Sequence, residues 1–357
     1  MPPRPPPLEL AVTAVGMVSP VGDCAAQTFT SVRAGITRMR ERPDIYSCLP
    51  EDPTFDDREP LVASAMRYLE EEGYRRTDPA EWLGLMAGRA LRDLLAQARL
   101  GAAELARTGV FLALPAGAGI GPESRDEIVR HLHNFAALDL LPHVQLAFGD
   151  RASPLALAEQ AVIQLRERRI DLAAVGGVDS HLFHDRLAVF DREWRILSKR
   201  NPDGLKPGEA GAFFLLERPR DAERRGLAPL SMLRGLANGQ FATCRGLPNT
   251  GAELAEVLDL LLTADGTSPL FVCDLNGESA RTREWGYAVS RLGKKLAGGF
   301  ALEHPASVLG DVGAATGASL VALAVQYLAN KHLQRSQALV WAASDDGERR
   351  ALLLERI

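Results

Sequence analysis

The chain has 357 residues, 46% of them apolar and 24% charged, and a formal net charge of −5 at pH 7. That balance is globular, and the length suits one large α/β unit or two ordinary domains. It excludes a nucleic-acid partner, since no Lys/Arg cluster is dense enough, and a membrane-spanning helix, since no run approaches roughly 20 apolar residues.

Residues 1–7, "MPPRPPP", predict a short disordered or polyproline II leader, with no apolar stretch of signal-peptide kind. "LELAVTAVGMVSP" at 8–20 predicts a strand and a turn. Residues 41–80 are polar and irregular at first, then helical, and the sequence assigns them no role. "GVFLALPAGAG" at 109–119 is a continuous apolar strand that ends in small residues. At 149–161, "GDRASPLALAEQA", small residues and a proline lead into a helix. Here Asp150 and Arg151 put charges where a chain enters a core. The helix that follows carries Leu155, Leu157, Ala161 and Ile163 on most of its faces, which predicts burial. It ends in "RERR" at 166–169, a solvated charged end, before the strand "DLAAVGG".

The histidine pairs "HLH" at 131–133 and "HLFH" at 181–184 have no matching Cys or carboxylate cluster, so no metal site is expected. Cys24, Cys48, Cys244 and Cys273 are scattered, which suits a reducing cytoplasm rather than a disulfide framework. "RPRDAERRGLAP" at 218–229 is charged and ends in a proline. It reads as a crossing between two parts of the chain.

The second part rhymes with the first. "VGAATGASLVALAVQYLANKHLQRSQALVWAASDD" at 312–346 repeats the small-residue start, the buried helix with Leu320, Leu323, Val325 and Leu328, the basic end and the short strand. "GEAGAFFLLER" at 208–218 matches "GERRALLLERI" at 347–357, and "GVFLALPAGAG" matches "PLFVCDLNGES" at 269–279. The separations differ between matched pairs, so this is one duplication with unequal insertions and not a solenoid. The expected halves are 8–218 and 230–357, with 219–229 crossing between them. Continuous apolar strands are covered on both faces. Two such sheets with one buried helix from each half between them predict an α/β fold of five layers, αβαβα.

The residues that carry these features also resemble a known family. "VTAVGMVSPVG" (12–22), "DLAAVGGVDS" (171–180), "RLAVFDREWRILSKRN…GLKPGEAGAFFLLER" (186–218) and "GDVGAATGASLVALAV" (310–325) are similar, in the same order, to motifs of the β-ketoacyl synthases. The resemblance covers almost the whole chain and implies the thiolase-like fold, which agrees with the duplicated five-layer architecture.

The resemblance also implies a site, and the expected catalytic residues are missing from it. Family members use a cysteine at the start of the first buried helix, two histidines and a lysine; the helix dipole and backbone N–H groups stabilise thiolate and oxyanion. Counted from the flanking motifs, the cysteine position falls on Arg151, with Ser153 beside it. Asn276, ahead of Gly277 and Glu278, holds the first histidine position, and Asp311 the second. Ala306, ahead of Ser307, holds the lysine position. A guanidinium stays protonated and cannot act as a nucleophile. The gatekeeper region "AASDDGE" at 342–348 keeps only Gly347 of the family's glycine-rich loop. Cys273 lies inside an apolar strand, where a structural thiol is expected, and His304 is seven residues before Asp311.

Arg151 and Asp311 are expected to meet across the pseudo-two-fold axis and plug the old pocket, with Asn276 alongside. The other reading of the same three residues is a ligand site. No cofactor and no metal are expected. For function, the resemblance leaves three readings. The first is a catalytically inactive protein acting through protein contacts, as an accessory or chaperone-like factor of a type VI-like bacterial secretion system with a secreted effector as partner. The second is the non-catalytic, chain-length-type subunit of a heterodimer with an active ketosynthase. The third is a repurposed acyl-transfer or hydrolytic enzyme using Ser153 or Cys273. The family's habit of pairing central strands across a two-fold axis makes "DLAAVGG" the expected interface of a homodimer or heterodimer.

Overall fold

In the computed structural model, which describes residues 8–47, 59–117, 120–136, 143–199, 201–241, 249–262, 269–330, 333 and 335–357, strands and helices alternate along most of the chain. The first half runs β1 (Leu10–Val18), α1 (Ala25–Arg33), β2 (Met39–Ser47), β3 (Glu59–Ser64), α2 (Arg67–Glu71), α3 (Pro79–Ala98) and α4 (Ala102–Ala106). It continues through β4 (Thr108–Pro115), α5 (Arg125–Ala136), β5 (His143–Gly149), α6 (Ser153–Arg166), β6 (Leu172–Ser180), α7 (His184–Arg192) and β7 (Glu209–Glu217). A short helix, α8 (Pro219–Arg224), precedes β8 (Ser231–Gln240), α9 (Ala252–Leu261), β9 (Leu270–Cys273), α10 (Ser279–Leu292) and β10 (Ala301–Glu303). The chain ends with α11 (Ala306–Leu309), α12 (Thr316–Ala329), β11 (Gln337–Ala343) and β12 (Glu348–Glu355). The Pro-rich leader, Cys48 and Cys244 lie outside the described residues.

The strand order is β10-β9-β11-β12-β8-β1-β7-β6-β4-β5. Each set of five has the same internal order, third-second-fourth-fifth-first, and the same mix of pairings. β5, β4 and β6 are parallel, as are β10, β9 and β11, while the last and first strands of each set pair antiparallel. The duplication read from the sequence is therefore a duplication of topology. The two sheets are also joined. Leu10–Val12 of β1 pair antiparallel with Ser231–Leu233 of β8, which makes one run of ten strands. It folds back so that both fives face the layer of α6 and α12.

Three apolar layers follow from this arrangement. α3 and α5 cover the outer face of the first sheet with Leu83, Leu91, Ile128 and Leu132. α9 and α10 cover the outer face of the second with Leu254, Leu258, Trp285 and Ala288. Between the sheets lie α6 and α12. α12 is buried on every face from Thr316 to Val325, which explains why its sequence has no polar stripe. At the middle of this layer the helices come close. A Cβ on Gly317 would stand 2.9 Å from the carbonyl oxygen of Arg151, which only glycine avoids without displacement.

Three expectations are corrected. Ile163 is 50% exposed, so α6 is not buried all round. The helix lies under the half-exposed edge strand β5, where Gln160 and Gln164 bond Gln145, and its outer face looks past that edge. "DLAAVGG" is β6, whose two edges are taken by β4 and β7. It has no free backbone with which to pair another chain; β5, with one neighbour, does. Finally, the polar stretch at 41–80 is not irregular at its start. β2 and β3 pair antiparallel, from Met39–Ser64 to Ser47–Glu59, and this tertiary pairing overrides the weak local signal. Among the described residues no helix is long and apolar enough to cross a membrane.

Candidate functional site

The mouth of α6 is shaped by its own first residues. Proline follows Ser153 in the first turn, where a missing N–H costs nothing. Ser153 Oγ accepts from Asp150 N at 2.9 Å, and Ser153 N donates to Asp150 O. This closed turn aims Arg151 inward, to the start of the facing helix α12.

Arg151 is 1% exposed and fully engaged. Its Nε donates to both oxygens of Asp311 at 3.2 and 3.0 Å, and Nη2 donates to Asp311 Oδ2 at 2.6 Å. Nη1 donates to Asp150 Oδ2 at 3.0 Å and to Asp345 Oδ1 at 3.1 Å. Burial works against the charge of Arg151, but the three carboxylates outweigh it and hold the group well above its ordinary pKa. Asp311 is likewise buried, which alone would raise it. The Arg151 charge and the His181 contact hold it instead well below the usual carboxylate range.

Asp311 collects donors from four segments. Asn276 Nδ2 reaches Oδ2 at 2.6 Å, His181 Nε2 faces Oδ1 at 3.1 Å, and Gly313 N donates to Oδ1 at 3.0 Å. Its backbone is bridged to Pro207. Gly313 has φ +49°, and a Cβ there would collide with Asp179 and His181, so the turn into α12 requires glycine. Asn276 also holds Glu278, donating to Oε2 at 2.9 Å and accepting from Glu278 N.

Around this centre lies a shell of paired charges. Arg195 donates to both oxygens of Glu278 and to Asp345 Oδ2 at 2.7 Å. Arg281 donates to Asp345 Oδ1 at 2.6 Å, to Asp274 Oδ2 at 3.1 Å and to the carbonyl of Ala343. The N–H of Ala152, at the helix start, is taken by Ser344 Oγ at 3.0 Å. The N–H groups of Ala152 and Ser153, at the α6 start, are thus already occupied by the chain itself.

The space left is small. A cavity of about 20 Å³ is lined by Cys273, Asp274, Asn276, Ala306, Asp311 and Ser319, among others. One water needs roughly 10–15 Å³ by this measure, whereas small-molecule pockets run to about 300–1,000 Å³.

The structure therefore brings together Arg151, Asn276, Asp311 and Glu278, and places Ala306 and Cys273 on the cavity wall. It leaves two residues apart. Ser307 is exposed, with its hydroxyl on the carbonyl of His304, and His304 is exposed as well. Ser153 Oγ is engaged with the Asp150 amide, and no described base touches it. The Cys273 thiol is fully buried, and burial pushes its pKa far above the ordinary thiol value, which removes the thiolate needed for chemistry. Among the described residues no group of three or more His, Cys, Asp or Glu could hold a metal ion.

Sequence reasoning misses His181, Asp345, Arg195, Arg281 and Asp274. "HLFH" reads only as a metal motif, yet His181 follows directly on β6, and strand ends in such sheets point into sites. Asp345 lies in the stretch 342–348, and it shares Arg151 Nη1 with Asp150.

No protein-family model matches the chain. It is 26% identical over 307 residues, 72% of each protein, to a Streptomyces virginiae protein named as a polyketide β-ketoacyl synthase. Over 124 residues it is 32% identical to a phenolphthiocerol/phthiocerol polyketide synthase protein of Mycobacterium tuberculosis; the match covers 32% of this chain and 8% of that much longer protein. Among solved structures, it superposes on a type II polyketide ketosynthase determined with its acyl-carrier protein, with a TM-score of 0.77 and 14% identity, over 98% of this chain and 100% of that one. The ketosynthase of module 6 of the bacillaene synthase of Bacillus subtilis 168 gives a TM-score of 0.75 at 15% identity, over 98% and 72%. The ishigamide ketosynthase/chain length factor gives 0.69 at 20% identity, over 98% and 100%. The structural likenesses establish the fold, and the Streptomyces likeness extends it to sequence across most of the chain. The chain thus has the fold of the ketosynthases and is similar in sequence to a β-ketoacyl synthase over most of its length.

Proposed function

We propose that this chain performs no condensation itself and works as the non-catalytic subunit of a ketosynthase heterodimer. The observation that carries the reading is the engagement of Arg151 by Asp150, Asp311 and Asp345 where a nucleophile and its substrate would meet. A guanidinium in that place cannot be acylated, and a cavity of about 20 Å³ has no room for an acyl chain. Of the readings left open by the sequence, the ketosynthase-subunit one is favoured over the secretion-factor one, because the structural neighbours include a ketosynthase/chain length factor and a ketosynthase bound to its carrier protein.

The surface proposed for the partner is the free edge of β5 with the neighbouring outer face of α6. Parallel strands are usually covered, yet β5 is half exposed along its length, and Ile163 beside it is 50% exposed. The test is co-expression with a ketosynthase that retains its cysteine, followed by native mass spectrometry. A one-to-one complex is expected, and Ile163→Glu is expected to weaken it without lowering the melting temperature of the isolated chain. Recovery of the two proteins separately would overturn the reading. So would acylation of this chain by an acyl-carrier thioester.

A further inference from the structure

We propose that the cavity between the end of β9 and the start of α12 is a binding site for a single ordered water molecule, held by Asp274 and Ser319. Both residues line it, and each is 2% exposed. Asp274 Oδ1 and Ser319 Oγ are buried and have no hydrogen-bond partner among the described residues. The other oxygen of Asp274 is satisfied, accepting from Arg281 Nη1 at 3.1 Å and from Ala343 N at 2.8 Å. Two residues that each carry an orphaned polar atom thus line one small space.

Size and chemistry agree on the occupant. The volume, about 20 Å³, exceeds the roughly 10–15 Å³ that one water needs, and it falls far short of an organic ligand. Leu309, Val312 and Leu320 form an apolar part of the wall, and the polar Asn276 and Asp311 beside them are bonded to each other. The directions also fit. The Ser319 hydroxyl donates to the water oxygen, and the water donates to Asp274 Oδ1. Left dry, each atom bears the desolvation cost of an unmade bond. The water ties the end of β9 to the first turn of α12, so it fixes the helix that follows Asp311. The site stands whether or not the chain pairs with a ketosynthase.

A high-resolution crystal structure of the full chain tests this directly, together with Ser319→Ala. The expected result is one density peak at about 2.7–3.2 Å from both Asp274 Oδ1 and Ser319 Oγ. Ser319→Ala is expected to empty or weaken that peak and to lower the melting temperature by about 2–4 °C. An empty cavity in the parent protein would overturn the proposal. So would a peak at the shorter distances of a metal ion surrounded by oxygens. A raised melting temperature in Ser319→Ala would do the same, because removing a hydroxyl that has no partner relieves a cost instead of creating one.

Discussion

Arg151 and Asp311, each 1% exposed at the side chain, meet through Nε and Nη2 at the facing starts of α6 and α12. The pair is charged, dry and shared between the two halves of the fold. Taking two ions out of water is costly, so the pair is weak evidence of net stabilisation, but breaking it strands a charge.

Arg151→Ala is accordingly expected to destabilise the protein by about 3–5 kcal/mol, read from urea denaturation. The double variant Arg151→Met with Asp311→Leu should be less destabilised than Arg151→Ala, since Asp311 is no longer left as a buried charge without its partner. An unchanged midpoint for Arg151→Ala would count against the plug.

Restoring a thiol should not restore chemistry. Arg151→Cys is expected to give no acyl adduct by intact-mass measurement after incubation with acyl-carrier thioesters. Asn276 and Asp311 supply no imidazole, the nearby His181 is held against Asp311, and the adjoining cavity, at about 20 Å³, admits no acyl chain. An adduct would show that the surrounding site is still competent.

The pH dependence has a definite sign. Burial pushes Asp274 up, with Arg281 only partly opposing, from 3.8 to about 6. A carboxyl that holds its proton more tightly when folded opposes folding once ionised. That penalty is fully present above about pH 6 and fades as the pH falls from 6 toward 4. Asp311 and Asp345 are shifted the other way, so their contribution is present above about pH 4 and is lost only in stronger acid. The stability of the parent protein relative to Asp274→Asn should therefore rise between pH 7 and pH 4.5. A difference that stays flat over that range would sink the assignment.

Cys273 should be silent toward alkylating reagents in the folded chain and reactive in urea, as peptide mapping would report. Its thiol is wholly buried and its pKa is raised by that burial. Labelling under native conditions would reopen the hydrolase reading.

Much of this was legible from local signals. The all-round apolarity of 316–328 marks a central helix, and the repeat of strand and helix order marks a duplication. Arg151, Asn276 and Asp311 could be placed together because each sits a short count from a recognisable turn. What could not be read comes from long-range geometry. His181 and Asp345 touch the site from the ends of β6 and β11, and no periodicity links them to Arg151. Ile163 belongs to an apolar helix by composition, but its exposure depends on β5 lying at the edge of the sheet. The same missing information, strand order, made β6 look available for pairing.

The short β1–β8 ladder has a consequence for the chain as a folding unit. Only three residues on each side make the join, yet the α6/α12 layer on its inner side draws walls from both sheets. Neither half encloses that central layer alone. A protease nick near the exposed Gly226 should therefore leave two fragments that stay bound and melt in one transition, while either fragment expressed by itself should fail to fold. The ancestral repeat has become an obligate partnership inside one chain.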